Sequence, residues 1–484
     1  MVAYHTQAEV ESLRKALRLR ARSEPPMLIR LLLTLGLFCS SLIQAAPAKP
    51  NIVFLLVDDL RYNALGCMGD KIVQTPNIDR LAKEGVLFKN MFVTTSICAV
   101  SRATYLTGQW MRRHGIEDFA TGISAAAWKD TYPGQLRAAG YHTGFIGKYG
   151  VGNEKVTKEK SSDFDFWRGE GGQAGKFFIE PNDPTRRHKT AKMGNDALSF
   201  LTTAPKNKPF SLSISFNAVH ARDHEKREYE PDSRDEGLYD GIEIPLPKLA
   251  TDEAFKRLPE FVQKSEGRRR WEWRFDEPQK AQDILHDYYR LITGVDREIG
   301  RLLAALEQQK LLENTIIIFA GDNGYALADR GMADKWFAYE EDMRVPLIIR
   351  DPRLGKERRG IKVDAMALNV DLAPTMLDLA GIPVPAAMQG RSLKPLLKGS
   401  VPKDWRTEFF YEHHSVASRI PPSEAVRTQR WKYIRWIEPN PLVEELYDLE
   451  TDPLEEHNLI SDAKHADILK ELREKWANYC ESLK

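Results

Sequence analysis

Asn51-Ile52-Val53-Phe54-Leu55-Leu56-Val57-Asp58-Asp59 decides the fold of this 484-residue chain. A continuous apolar, β-branched run that stops at two carboxylates reads as a strand buried on both faces, with acids at its C-terminal end. In open α/β sheets, ligands bind outside that end. Thr315-Ile316-Ile317-Ile318-Phe319-Ala320, followed by Gly321-Asp322-Asn323-Gly324, repeats the arrangement. Two buried strands, far apart in sequence, thus each deliver oxygen ligands.

Working outward, helical and strand patterns alternate: helix over 76–85, strand over 140–148, helix over 194–203, strand over 210–217 and a long amphipathic helix over 283–309. A short strand at 345–349 and a helix starting at 371 follow. This alternation predicts an α/β fold with a large mixed central β-sheet flanked by helices. Strand-like stretches at 408–411, 424–427, 432–436 and 445–449, then a helix from about 462, predict a smaller C-terminal antiparallel sheet plus helix. The expected division is an N-terminal domain over 49–395 and a C-terminal subdomain over 400–484.

Residues 27–46 read as a signal peptide: Arg30 supplies charge, Leu31 to Phe38 an apolar core, and Ala45-Ala46-Pro47-Ala48 small residues for cleavage. Met27 is then the expected start, with residues 1–26 preceding it. The apolar run is too short for a stable membrane span, so the expected location is exported, periplasmic or secreted. Cys39 would leave with the signal, and Cys67, Cys98 and Cys480 do not make a disulfide framework. Seventy Lys plus Arg against 69 Asp plus Glu gives +1, with no global field for gripping nucleic acid.

Asp58, Asp59, Asp322 and Asn323 offer hard oxygens that suit calcium, or magnesium, and the absence of a His- and Cys-rich cluster argues against zinc. A single Asp-Asp pair after a strand would be read as a turn or helix cap. Two such pairs at two strand ends shift the reading to a metal.

With these acids stand further landmarks in order: Thr75-Pro76-Asn77-Ile78-Asp79-Arg80, Cys98-Ala99-Val100-Ser101-Arg102 with Leu106-Thr107-Gly108, Gly147-Lys148, His220, Lys335, Arg344-Val345-Pro346 and Leu446-Tyr447-Asp448-Leu449. In this order they resemble the formylglycine-dependent (type I) sulfatases of the alkaline phosphatase superfamily, over nearly all of the chain beyond the signal. The resemblance implies an alkaline phosphatase-like fold and a sulfuric ester hydrolase. It implies that a maturation enzyme oxidises Cys98 to formylglycine, whose hydrate bears one hydroxyl to attack sulfur and one to expel the product. It further implies Asp58, Asp59, Cys98, Asp322 and Asn323 as the metal set, Arg102 as the residue holding the hydrate, Lys148 and Lys335 as sulfate-binding cations, and His220 as proton donor to the leaving alcohol. Taken singly, the lysines would be read as solvated and His220 as a core histidine.

Two positions depart from the family pattern. Val100 stands where Pro or Ala is usual, and Gly150 where a histidine hydrogen-bonds the formylglycine hydroxyl. Arg268-Arg269-Arg270-Trp271-Glu272-Trp273-Arg274 interleaves cations with tryptophans, so Arg270, Trp271 and Trp273 are candidates for a sulfated carbohydrate, equally readable as an exposed loop. His114 is a further substrate candidate, or a helix cap. Two rivals stay open: a phosphodiesterase or phosphonate hydrolase of the same superfamily, and a catalytically silent sulfated-glycan-binding protein.

Overall fold

The computed structural model describes residues 49–172, 176–178 and 188–484, with residues 8, 11, 12 and 15 near the N-terminus. The expected signal over 27–46 lies outside the described residues. Lys49–Lys484 form one compact unit. Among the described residues, no helix is long and apolar enough to cross a membrane.

The central sheet takes β1 (Asn51–Val57), β2 (Val86–Phe92), β3 (His142–Lys148), β4 (Phe166–Glu170), β5 (Phe210–Phe216), β6 (Thr315–Gly321), β7 (Arg344–Arg350) and β8 (Ile361–Val363) in the order β8-β2-β7-β6-β1-β5-β3-β4, with Ala367–Leu368 also pairing β2. It is mixed. β4, β3, β5, β1 and β6 run parallel, whereas β7 is antiparallel to β6 and β2. β1 is buried along its whole length, and its alternate residues enter different cores. Val53, Leu55 and Val57 pack with α3 (Lys189–Thr203) and α5 (Pro278–Gln308), while Ile52, Phe54 and Leu56 pack with α2 (Cys98–Thr107) and α6 (Leu372–Leu379). That is the period-2 consequence of a sheet covered on both faces.

Some element boundaries differ from those read in the sequence. α5 begins at Pro278, five residues before the expected start, because proline at the first helical turn needs no N–H partner. β2 carried no clear pattern: Lys89 and Asn90 interrupt its apolar run where the pairing with β7 shifts register between Phe88 and Met91. The charged segment 264–275 is a helix, α4 (Glu266–Arg274). Helix α1 (Pro76–Glu84) has a span that matches the sequence reading closely.

The C-terminal sheet is antiparallel, β9 (Glu408–His413), β10 (Ser423–Thr428), β11 (Trp431–Trp436) and β12 (Val443–Asp448) in sequential order, with α7 (Ala466–Ser482) against it. Its core is shared with Phe92, Ile97 and Val100. Val100 is therefore a packing residue of that core, 1% exposed.

Candidate active site

Sheet register alone brings the site together. Val57 pairs with Gly321 and Phe216, so Asp58, Asp322 and Asn217 emerge side by side from the C-terminal ends of β1, β6 and β5. Gly147 pairs with Ser215, which places Lys148, the last residue of β3, at the same edge. Cys98 opens α2 beside them and is buried.

Around Cys98 the contacts are charged. Its Sγ lies 3.4 Å from Asp58 Oδ1 and 3.3 Å from Lys335 Nζ. Lys148 Nζ donates to Asp58 Oδ2 at 2.6 Å, and Lys335 Nζ donates to Asp59 Oδ1. Both lysines are almost wholly buried (1% and 3% exposed), which excludes the solvated reading of either. Arg102 donates through Nε to Asp322 Oδ2 at 2.9 Å, and its Nη2 lies 3.6 Å from Asp58. Its Nη1 donates to the Lys148 carbonyl at 2.7 Å and to Ser215 Oγ. Arg102 thus ties the strand-end acids to β3 and β5.

Burial would raise the Asp58 carboxyl, but Lys148, Arg102, His220 and Lys335 hold it well below the usual carboxylate range. Asp322 is pushed up to about 7 by burial and by Asp58. Burial, and then the Asp58 charge, pushes the Cys98 thiol up. An unmodified Cys98 is therefore a neutral thiol and a weak nucleophile.

The donor set fits a hard cation. Oxygens of Asp58, Asp59 and Asp322 lie within 4.8 Å of one another, and Asn323 Nδ2 donates to Asp59 Oδ1 at 2.7 Å. Asn323 Oδ1 is left buried with no hydrogen-bond partner. A buried carbonyl oxygen without a donor, next to three carboxylates, is what an oxygen-coordinated divalent cation satisfies. A second grouping, Asp58, Cys98 and His220, shares Asp58 with the first.

His220 stands across from Asp59, Nε2 to Oδ2 at 3.6 Å. Its Nδ1 lies 2.6 Å from the Ala221 carbonyl, which can only accept, so the Nδ1 hydrogen fixes the ring and Nε2 faces the acids. Burial lowers its basicity despite Asp59.

A cavity of about 540 Å³ opens over this cluster, with Cys98, His220 and Lys335 on its inner wall and Arg270 and Trp336 beside them. Lys335 is flanked by two residues in left-handed backbone, Asp334 (φ 84°) and Trp336 (φ 101°). Such residues cost about 1–3 kcal/mol each and persist where surroundings enforce them. Here Arg270 and Arg274 both bind Asp334, and the Arg270 guanidinium lies 5.1 Å from the centre of the Trp336 ring.

Of the four substrate candidates, Arg270 lines the cavity, braced by Asp223, Asp334 and Glu266. Trp273 lies beyond it, against His224 with ring centres 4.2 Å apart. Trp271 does not reach the cavity: residues two apart on a helix point away from each other, and Trp271 packs on the main core under Arg268. His114 does not line it either. Its Nδ1 accepts the Ile116 N–H at 3.1 Å and its Nε2 meets Thr104 Oγ1 at 3.2 Å, so both nitrogens are used at a helix end.

Sequence reasoning missed Ser215 and Asp334, and it did not single out Arg274 within the charged run that contains it. The last had a signal: it stands four residues after Arg270, one helical turn along, and is completely buried with Asp223, Glu228 and Asp334.

Gly150 also gains a physical account. It has φ 71°, and a Cβ there would lie 2.7 Å from Arg102 Cδ. The Arg102 stem fills the space beside it. Gly150→His is expected to lower both sulfate release and melting temperature rather than restore a missing function, since left-handed backbone adds about 1–2 kcal/mol to the clash. A faster enzyme of unchanged stability would refute this.

A strand-end acid cluster, buried lysines and a histidine gathered around one buried cysteine suit the hydrolysis of an anionic ester at the rim of a mixed α/β sheet. Comparison with known proteins specifies it. The sulfatase family model matches residues 50–382, and that of the N-sulphoglucosamine sulphohydrolase C-terminal region matches residues 328–482. The chain belongs to the sulfatase family and is a sulfuric ester hydrolase. It is 32% identical to an N-acetylglucosamine-6-O-sulfatase of Bacteroides thetaiotaomicron, over 93% of this chain and 90% of that protein. A structure solved in complex with its substrate D-glucosamine-2-N,6-O-disulfate superposes with a TM-score of 0.75 and 30% identity, covering 90% of this chain and 98% of the other. A phosphonate monoester hydrolase of Agrobacterium radiobacter (TM-score 0.71, 22% identity, 90% and 96% covered) shares the fold.

Proposed function

We propose that this chain is an exported sulfatase that removes sulfate from a sulfated carbohydrate, using a formylglycine made from Cys98 by a maturation enzyme and a calcium or magnesium ion. The observation that carries the reading is Cys98, buried at the start of α2 between Asp58 and Lys335 and opening onto a cavity. Burial and the Asp58 charge favour the protonated thiol there, which supports a residue converted to another nucleophile.

Asp58, Asp59, Asp322 and Asn323 would hold the metal, with residue 98 beside it. The bound ion would supply Lewis-acid charge neutralisation and a more acidic attacking hydroxyl. Lys148 and Lys335 sit where they can bind ester oxygens, held without water by burial, so each charge acts at low dielectric. Arg102 keeps the acids in register. His220, its ring fixed through Nδ1, is placed to exchange a proton with the leaving oxygen at Nε2. In this reading residues 27–46 direct export, residues 49–395 carry the chemistry and residues 400–484 complete the cavity wall.

The carbohydrate part of the reading draws on the relatives, an N-acetylglucosamine-6-O-sulfatase and a structure bound to a disulfated glucosamine. Protein co-expressed with a maturation enzyme and assayed for sulfate release is expected to favour 6-O-sulfated N-acetylglucosamine over 4-nitrophenyl sulfate, and to cleave a phosphonate monoester about 100-fold less well or worse. The peptide containing Cys98 should weigh about 18 Da less than the unmodified form. An intact thiol in active enzyme, or a preference for the phosphonate, would overturn the assignment.

A further inference from the structure

The reaction centre lies in the middle of a row of cavities. Among the described residues, the central cavity of about 540 Å³ adjoins one of about 470 Å³, with which it shares Glu266 and Arg419, and one of about 870 Å³, with which it shares Arg222 and Glu225. Each is of a size that holds a small-molecule ligand, about 300–1,000 Å³. A single sulfated sugar needs one of them.

Helix α4 sets their order. Glu266 and Arg269 line the first flanking cavity, Glu266 and Arg270 the central one, and Trp273 the second flank. These residues have the spacing i, i+3, i+4, i+7, the stripe of one helical face. One face of α4 therefore runs along the row, about 10 Å from Glu266 to Trp273, with Arg270 at the centre.

The two flanks differ in charge. On the first, Lys264, Arg269 and Arg419 face the carboxylates of Glu266 and Glu438, with Glu266 Oε2 3.2 Å from Arg269 and Oε1 3.7 Å from Arg419, so cations exceed carboxylates in its lining. On the second, Arg227 and Arg290 are neutralised by Asp287, Glu236 and Asp240, beside the half-buried ring of Trp273. The first suits an anionic substituent. The second suits an uncharged sugar ring set beside Trp273, whose ring centre lies 4.2 Å from that of His224 and 5.5 Å from the Arg269 guanidinium.

We infer that this groove holds a sulfated glycan chain passing through the centre, so that sulfate is removed from interior residues, with an anionic neighbour on the Arg419 side and an uncharged neighbour in contact with Trp273 on the other. The inference rests on the sulfatase reading and deepens it. Octasaccharides of heparin, chondroitin sulfate and carrageenan, tagged at the reducing end, provide the test, with the lost sulfate located by tandem mass spectrometry. Sulfate should leave interior residues, and Trp273→Ala should raise the KM ratio of octasaccharide to 4-nitrophenyl sulfate about tenfold, one lost contact of about 1.4 kcal/mol. Loss from a terminal residue alone, or a KM ratio unmoved in folded Trp273→Ala protein, overturns the inference. Cleavage of 4-nitrophenyl sulfate with no octasaccharide cleaved overturns it while the sulfatase stands. No release from any ester brings down both.

Discussion

Cys98→Ala is expected to reduce sulfate release to background, a loss of about 10⁴–10⁶ in kcat, the range found when a catalytic nucleophile is deleted. The change removes only the thiol, or the aldehyde made from it, at a site where Asp58 stays paired with Lys148 and Arg102, Asp322 with Arg102, and Asp59 with Lys335. The variant should therefore fold, melt within a few degrees of the parent and still bind substrate. Retained turnover above about 1% would show that the nucleophile lies elsewhere. A variant that failed to fold would be a different result, which is why melting and substrate binding must be measured beside turnover.

Asp58→Asn is expected to have the largest effect on stability. The side chain is fully buried and faces Lys148 at 2.6 Å, Arg102 at 3.6 Å and Cys98 at 3.4 Å. An amide of the same shape leaves two buried cations short of a counter-charge. Breaking a buried pair from one side costs about 3–5 kcal/mol, to be read from denaturant unfolding. The double variant Asp58→Asn, Lys148→Met removes the orphaned ammonium too and should recover part of that loss, because an apolar pair costs less than an unpaired charge. Activity should stay lost in both, since the substituted amide no longer supplies a charged oxygen to the proposed metal set. Equal stability of the single variant and the parent would contradict the ion-pair account.

The acids of the site were legible in the sequence because each follows an apolar strand buried on both faces, and a strand end is a fixed address in this fold class. Lys148 and His220 were not legible by themselves. A buried lysine has no local signature, and these stood out only through their order among other landmarks. Trp271 and Trp273 could not be told apart in the sequence, because the interleaved run of Arg and Trp does not show which face of an element each occupies. The helix sends Trp271 to the core and Trp273 to the groove. The meaning of Gly150 was inaccessible for another reason: the neighbour that excludes a side chain, Arg102, comes from another element.

The pairing of Val57 with Gly321 sets a clock on the chain. Arg102 and its partner Asp322 are 220 residues apart. At about 5–20 residues per second, the ribosome delivers β6 some 10–40 s after α2. Until then the edge of the sheet that encloses Cys98 lacks one of its strands, and the thiol cannot be sealed. Any enzyme that must reach this cysteine has an interval written into the order of the strands, and moving β6 ahead of α2 by circular permutation would shorten it.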